Sequence, residues 1–386
     1  MSQYHEPHAP SKVTEDFLRA MPKTDLHVHL DGSMRIETMM ELAEERKIPL
    51  PASDPEQLKK VLNIGGQHDS LESYLRIFDT TLQVMQDEEA LFRTAYELGE
   101  DAARENCKYI EVRYSPILHQ RKGLPLAVIV EVVAEGLREA KRKFGIMSGQ
   151  IVCGIRHMTP ATSLRLAELA VAFKYKGVVA FDLAGAEFNN PAEDHAAAFV
   201  LVRKNNVNST VHAGEAYGPR SIHQAIHDCN AHRIGHGVRL REDGDLLNYI
   251  NDHRIPLEIC LKSNVQTRAV ESIESHPLRF YLDYGLRLTL NTDNRLVTDT
   301  TVTDEFKLAV QTFDLRLEEI RGLVLAGFKS AFMPFRKKRE VMRKAAKEFD
   351  EIALKHGIVS QERPRGLDRY WAFKDTEAEA IEAMED

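Results

Sequence analysis

Two histidines stand one residue apart in the apolar run TDLHVHL: His27 and His29, followed at once by Asp31 and Gly32. Residues two apart in an extended strand share a face. Both imidazoles can therefore point the same way, and neutral imidazoles beside a carboxylate are metal ligands. Chance placement of 16 histidines among 386 residues gives roughly one such pair, so the pair gains meaning only from further ligands.

Those candidates lie downstream. His212 and Glu215 occur in STVHAGE, His236 in HRIGHG and Asp293 in LRLTLNTD. Taken alone, His212 or His236 reads more often as a satisfied polar residue than as a ligand. Three imidazoles and one carboxylate together suit zinc and leave one position for water. Zinc lowers the pKa of a bound water from about 15.7 toward ~7. Glu215, three residues past His212, is placed to deliver a proton, and His236 to orient that water. The chemistry is hydrolysis at an electrophilic carbon, with proton delivery to a neighbouring atom.

Other suggestive patterns carry less. His223 and His227 form HxxxH without the glutamate of HEXXH, and read as surface or packing residues. The basic run FRKKREVMRK at 335–344 reads as a solvated helix face. Gly65-Gly66 has no following GK[ST] and reads as a loop.

Short apolar runs alternate with amphipathic ones along the chain. Strands are expected at 24–30, 108–116, 149–157, 177–185, 209–215, 232–237, 256–260 and 286–293, each followed by helix. A polar, mostly helical insertion is expected over 51–86, and helices alone from about 302. Strands alternating with helices imply parallel βαβ units. Eight units close into an α/β (β/α)₈ TIM barrel, here with extra helices after strand 1 and at the C-terminus. An open doubly wound sheet would show GxGxxG after its first strand, and none is present. Barrel catalysts sit at the C-terminal ends of strands, where His27, His29, His212, Glu215, His236 and Asp293 fall. One domain over 14–362 is expected, with polar tails at 1–13 and 363–386.

The net charge of −8 argues against a nucleic-acid or anionic-membrane surface. No apolar run approaches the ~20 residues of a membrane span, and MSQYHEPHAPSKVTEDF has no signal-peptide core. Cys107, Cys153, Cys229 and Cys260 are widely spaced, with no CxxC. A reduced, cytoplasmic protein with buried thiols is expected.

The segments TDLHVHLDGSMR, VHAGEAYGPRSI, RIGHGVRL, SNVQT and LTLNTDN, in that order over about 20–350, resemble those of the adenosine deaminase family. The resemblance implies a (β/α)₈ barrel with one zinc, held by His27, His29, His212 and Asp293. It implies that Glu215 protonates purine nitrogen 1 and that His236 orients the water attacking carbon 6, so that adenosine becomes inosine plus ammonia. The Gly185 amide would bond nitrogen 3, Asp31 a ribose hydroxyl, and His29 would also border the substrate. Gly32 would allow a sharp turn and Ser33 would cap the next helix. Family members commonly carry two aspartates at the last motif, and here the second is Asn294. An amide donates to nitrogen 7 without needing a carboxyl proton.

Binuclear relatives carry a lysine at the end of strand 4, where this chain has FDLAG. Cytidine-type deaminases use P-C-x-x-C, absent here. Relatives acting on free adenine tend to have glutamate in place of Asp31, so the shorter aspartate favours a nucleoside. Free adenine, or a modified adenosine such as aminodeoxyfutalosine, stays open. A barrel kept only for binding would have lost one of these groups, and none is lost.

Overall fold

The structure is a computed structural model that describes residues 13–358. The expected tails, apart from Val13, and residues 359–362 lie outside the described residues. Eight parallel strands follow one another round the sheet in chain order. They are β1 Lys23–His29, β2 Cys107–Tyr114, β3 Met147–Ile155, β4 Val178–Ala184, β5 Asn208–Ala213, β6 Arg233–His236, β7 Leu257–Ile259 and β8 Leu288–Leu290. The fold is the expected (β/α)₈ barrel.

The last strand is shorter than its pattern promised. β8 ends at Leu290, and ladder pairing with β7 ends there too. The barrel closes beyond it. Asp293 N–H donates to the His27 carbonyl (2.8 Å), and His29 N–H donates to the Asp293 carbonyl (2.7 Å). This isolated parallel bridge, Val28 with Asp293, sets a candidate ligand of the chain's end beside two of its beginning.

Below the site the barrel interior is ionic. Arg113 donates to Asp182 (3.0 Å) and Glu258 (2.9 Å), and Arg233 to Glu258 and Glu111 (2.5 Å each). All five are fully buried or nearly so. A buried charge costs several kcal/mol unless paired, and each here is paired.

The insertion forms three short helices, Pro55–Val61, Leu71–Leu75 and Phe78–Val84, the first two N-capped by Asp54 and Ser70. It packs across the ends of β7 and β8. Leu71, Tyr74 and Ile77 cluster with Val297, and His68 N–H bonds the Gln266 carbonyl at 2.9 Å. Helices Val302–Phe313, Leu317–Ser330 and Phe335–Lys355 end the described chain.

Two helices escaped the sequence reading. Glu15–Ala20 is short, and its end is held by Lys23, whose Nζ donates to the Leu18, Arg19 and Met21 carbonyls. Leu261–Gln266 follows β7 directly. It is anchored by Glu305, which accepts from Leu261 N–H at 2.8 Å and from Thr300 Oγ1 at 3.0 Å.

Burial pushes Glu305 up to about 8, against the lowering effect of those donors. Its folded pKa is raised, so its stabilisation is full below the ordinary carboxyl value and lost as pH rises toward 8. Glu305→Gln keeps an acceptor without that titration. Its thermal midpoint relative to the parent should climb steadily between pH 5 and 8. A pH-independent difference in calorimetry would contradict this.

Candidate active site

β1 ends with His27 fully buried and His29 partly open, as the two-residue period demands. β5 brings His212 alongside. Among the described residues, one group is arranged to hold a metal ion: His27, His29, His212 and Asp293, with ligand atoms all within 4.8 Å of one another.

The polar atoms of this group fit a cation. His27 Nδ1 meets Glu258 Oε2 at 2.9 Å, and His212 Nδ1 meets Asp182 Oδ2 at 3.1 Å. An imidazole that donates from Nδ1 turns its Nε2 lone pair the other way. The buried Nε2 of His27 accordingly has no hydrogen-bond partner. Nε2 of His29 and of His212 face each other at 3.1 Å, and Asp293 Oδ1 lies 3.4 Å from His27 Nε2 and 3.5 Å from His29 Nε2. Burial, with Arg113 close by, pushes His27 down to about 4, and burial takes His29 well below the usual range. Both are neutral, as ligands must be. Burial opposes ionisation of Asp293, but His27 and then the other imidazoles around it hold it well below the carboxylate range. Burial lowers His212 too, yet Asp182 carries its pKa above normal. Nitrogens so placed hold either a proton or a metal.

Glu215 lies two residues beyond the end of β5, past Gly214 at φ +70°. Burial raises its pKa, although His236 works in the other direction. Thr267 Oγ1 donates to Oε1 at 3.0 Å, and His236 Nε2 stands 3.5 Å from Oε2. The His236 ring centroid is 4.8 Å from that of His27. A carboxyl group biased toward its acid form, a histidine and a metal-type cluster thus meet in one place.

The remaining candidates surround this centre. Asp31 is 4% exposed and its Oδ1 has no partner; burial pushes its pKa up to about 7. Gly32 is needed for space, not for a left-handed turn: a Cβ there would fall 1.9 Å from Asn294 Oδ1. Ser33 does not cap the following helix, which begins after Arg35 with no side-chain cap; its Oγ accepts from Arg295 N–H at 3.1 Å. Asn294 Nδ2 donates to Tyr74 Oη at 2.8 Å, and its Oδ1 has no partner. Gly185 directly follows β4 with φ +94°, a conformation that favours glycine. His223 and His227 are exposed on their helix, their rings 4.3 Å apart. Most of 335–344 faces solvent, and all four cysteines are free and buried.

Several supports escaped the sequence reading. The Glu187 carboxylate accepts the backbone N–H groups of Gly214, Glu215, Ala216 and Tyr217 at 2.6–3.0 Å, and so fixes the turn carrying Glu215. Helix Leu261–Gln266 presents Ser263, whose Oγ donates to Asp293 Oδ2 at 2.6 Å, and Asn264, whose Nδ2 meets His236 Nδ1 at 3.0 Å. Asp182 and Glu258 were legible in principle, since an acid inside an apolar strand run, as in FDLAG or PLEIC, needs a partner.

The family model described as adenosine deaminase matches residues 22–348. The chain belongs to the adenosine deaminase family. A Streptomyces coelicolor adenosine deaminase 1 is 42% identical over 85% of this chain and 87% of its own length. A probable adenosine deaminase of Dictyostelium discoideum is 38% identical over 88% of this chain, which spans only 44% of that longer protein. Among solved structures, an adenine deaminase from Arthrobacter aurescens superposes with TM-score 0.80 and 26% identity, covering 86% of this chain and all of the other. No described helix is long and apolar enough to cross a membrane.

The donor set predicts that zinc added to metal-stripped protein stabilises it by about 4 kcal/mol at 1,000 times Kd. Asp293→Ala should lose most of that gain. An unchanged melting midpoint on zinc addition would argue against the cluster as a metal site.

Proposed function

We propose that this protein hydrolyses adenosine and 2′-deoxyadenosine at carbon 6, giving inosine or deoxyinosine and ammonia, in cytoplasmic purine salvage. Residues 14–362 are read as one catalytic domain. The observation that carries the reading is the meeting of Glu215, raised toward its acid form, with His236 at 3.5 Å, beside the four-ligand cluster.

Each residue has a task. His27, His29, His212 and Asp293 hold one zinc, which when bound would activate water at neutral pH. Glu215 gives its proton to ring nitrogen 1, which makes carbon 6 electrophilic. Its raised pKa suits a group that must carry a proton near pH 7. His236 orients the attacking water, whose oxygen bonds carbon 6; one of the water's protons returns to Glu215 and the other reaches the amino group, whose bond to carbon 6 breaks so that it leaves as ammonia while nitrogen 1 keeps its proton. The Gly185 N–H bonds nitrogen 3, and an N–H of Asn294 bonds nitrogen 7. Asp31 Oδ1, without a partner in the protein, accepts from a ribose hydroxyl. His29, the most open ligand at 14% side-chain exposure, borders the substrate.

Free adenine is the second reading, favoured by the likeness to the Arthrobacter adenine deaminase. Asp31 opposes it: its short side chain leaves space for a sugar. Ammonia release from zinc-loaded protein, with adenosine, deoxyadenosine and adenine side by side, separates the two. Turnover of the nucleosides with little on adenine is expected. Activity on adenine alone overturns the substrate, and silence on all three overturns the reading.

Glu215→Gln should keep zinc and melting midpoint while turnover falls by about 10²–10⁴. Near-normal turnover would remove Glu215 as proton donor.

A further inference from the structure

His236 carries two ring nitrogens, and which of them bears the proton decides what it can do. One nitrogen faces the reaction centre: Nε2, 3.5 Å from Glu215 Oε2. The other, Nδ1, faces the Asn264 side chain at 3.0 Å. An amide can offer either its oxygen or its nitrogen, so Asn264 alone leaves the matter open. Its other end does not. Asn264 Oδ1 lies 3.2 Å from His276 Nε2, and His276 Nδ1 accepts the backbone N–H of Leu278 at 3.1 Å.

The chain of donors runs from that backbone group. Leu278 N–H can only donate, so His276 Nδ1 must hold a lone pair. Burial pushes His276 down to about 3, and its single proton therefore sits on Nε2. That proton requires the oxygen of Asn264, which leaves the NH₂ of Asn264 for His236. His236 Nδ1 must then accept, and the neutral ring carries its proton on Nε2.

We infer that His276 and Asn264 are positioning residues that hold His236 as its Nε2–H tautomer, so that His236 meets the reaction centre as a hydrogen-bond donor and not as a base. This rests on the proposed role of His236 toward the attacking water. A proton on Nδ1 would face the N–H of Asn264 across 3.0 Å, and Asn264 cannot flip without setting its NH₂ against the His276 N–H. All three side chains are buried, so two N–H groups set against each other there would meet without bulk solvent to screen them.

The tautomer is measured directly. In zinc-loaded protein labelled with nitrogen-15 at histidine, the His236 ring signals are those lost in His236→Gln. They should show a protonated Nε2 and an unprotonated Nδ1. A protonated Nδ1 overturns the inference. Asn264→Asp replaces the donor by an acceptor and should draw the proton to Nδ1. Its kcat with adenosine should fall by roughly 10- to 100-fold, the usual effect of losing a partner that orients a site group, with KM and zinc content little changed. An unchanged kcat in folded Asn264→Asp overturns the inference. His276→Gln, whose amide supplies both an acceptor for Leu278 N–H and a donor for Asn264, should stay close to the parent, whereas His276→Leu should follow Asn264→Asp. Equal losses in the two His276 variants also overturn it. Should Asn264→Asp not fold, the parent's nitrogen spectrum still decides. Absence of ammonia release from every nucleoside would refute the functional reading, and the tautomer measurement would stand apart from it.

Discussion

One buried guanidinium braces the site. Arg113 on β2 donates to Asp182 and to Glu258, and these two carboxylates orient His212 and His27. Burial alone would raise both acids, and a protonated acid could no longer accept from Nδ1. His212 and then Arg113 reverse this at Asp182, and Arg113 and then Arg233 at Glu258, so that both stay well below the carboxylate range. Without Arg113, two carboxylates would lose a buried partner together, and unpaired buried charge is among the costliest defects a fold can carry. The usual barrel filling of branched aliphatic side chains gives way here to an ionic layer. The direction of two imidazole lone pairs depends on it.

The second constraint is closure. Asp293 and His27 lie at opposite ends of the chain, and the bridge of Val28 with Asp293 joins them. Asp293 adopts φ +61° to do this, and His236 adopts φ +63° at the end of β6. Such conformations cost non-glycine residues of order 1–3 kcal/mol each. Both side chains are held by helix Leu261–Gln266, Asp293 through Ser263 and His236 through Asn264. The clamp on both residues therefore comes from one six-residue helix, itself anchored by Glu305.

The barrel was legible in the sequence because period-two and period-3.6 patterns alternate eight times. The candidate cluster was legible because its residues lie at or just beyond strand ends, and HVH shows its common face in three letters. What stayed hidden has no local pattern. Glu187 accepts four N–H groups from a turn about thirty residues further on, and no spacing rule announces a carboxylate whose partners are backbone. β8 was read as eight residues and pairs over three, since beyond Leu290 the barrel closes by an isolated bridge at Asp293 and not by a continued ladder. Ser33 looks like a helix cap, but the Arg295 N–H, 262 residues away, takes its oxygen. Tertiary partners override a local preference wherever they offer a buried hydrogen bond.

Asn294 stands where the resemblance in sequence led to the expectation of a second aspartate. It directly follows Asp293, inside a cluster where an anion is already held. A second carboxyl there would meet burial and the neighbouring negative charge, both of which raise a pKa, and would act as a donor only while protonated. The amide avoids that dependence. One of its N–H groups is fixed by Tyr74, whose hydroxyl also pairs with Thr298 at 2.8 Å, so the insertion helix Leu71–Leu75 sets the plane of the amide. The insertion is thus tied to the site by a hydrogen bond and by the packing of Tyr74 against Val297. On the proposed reading, a neutral donor held in plane by a buried tyrosine serves ring nitrogen 7 without depending on a carboxyl proton of its own.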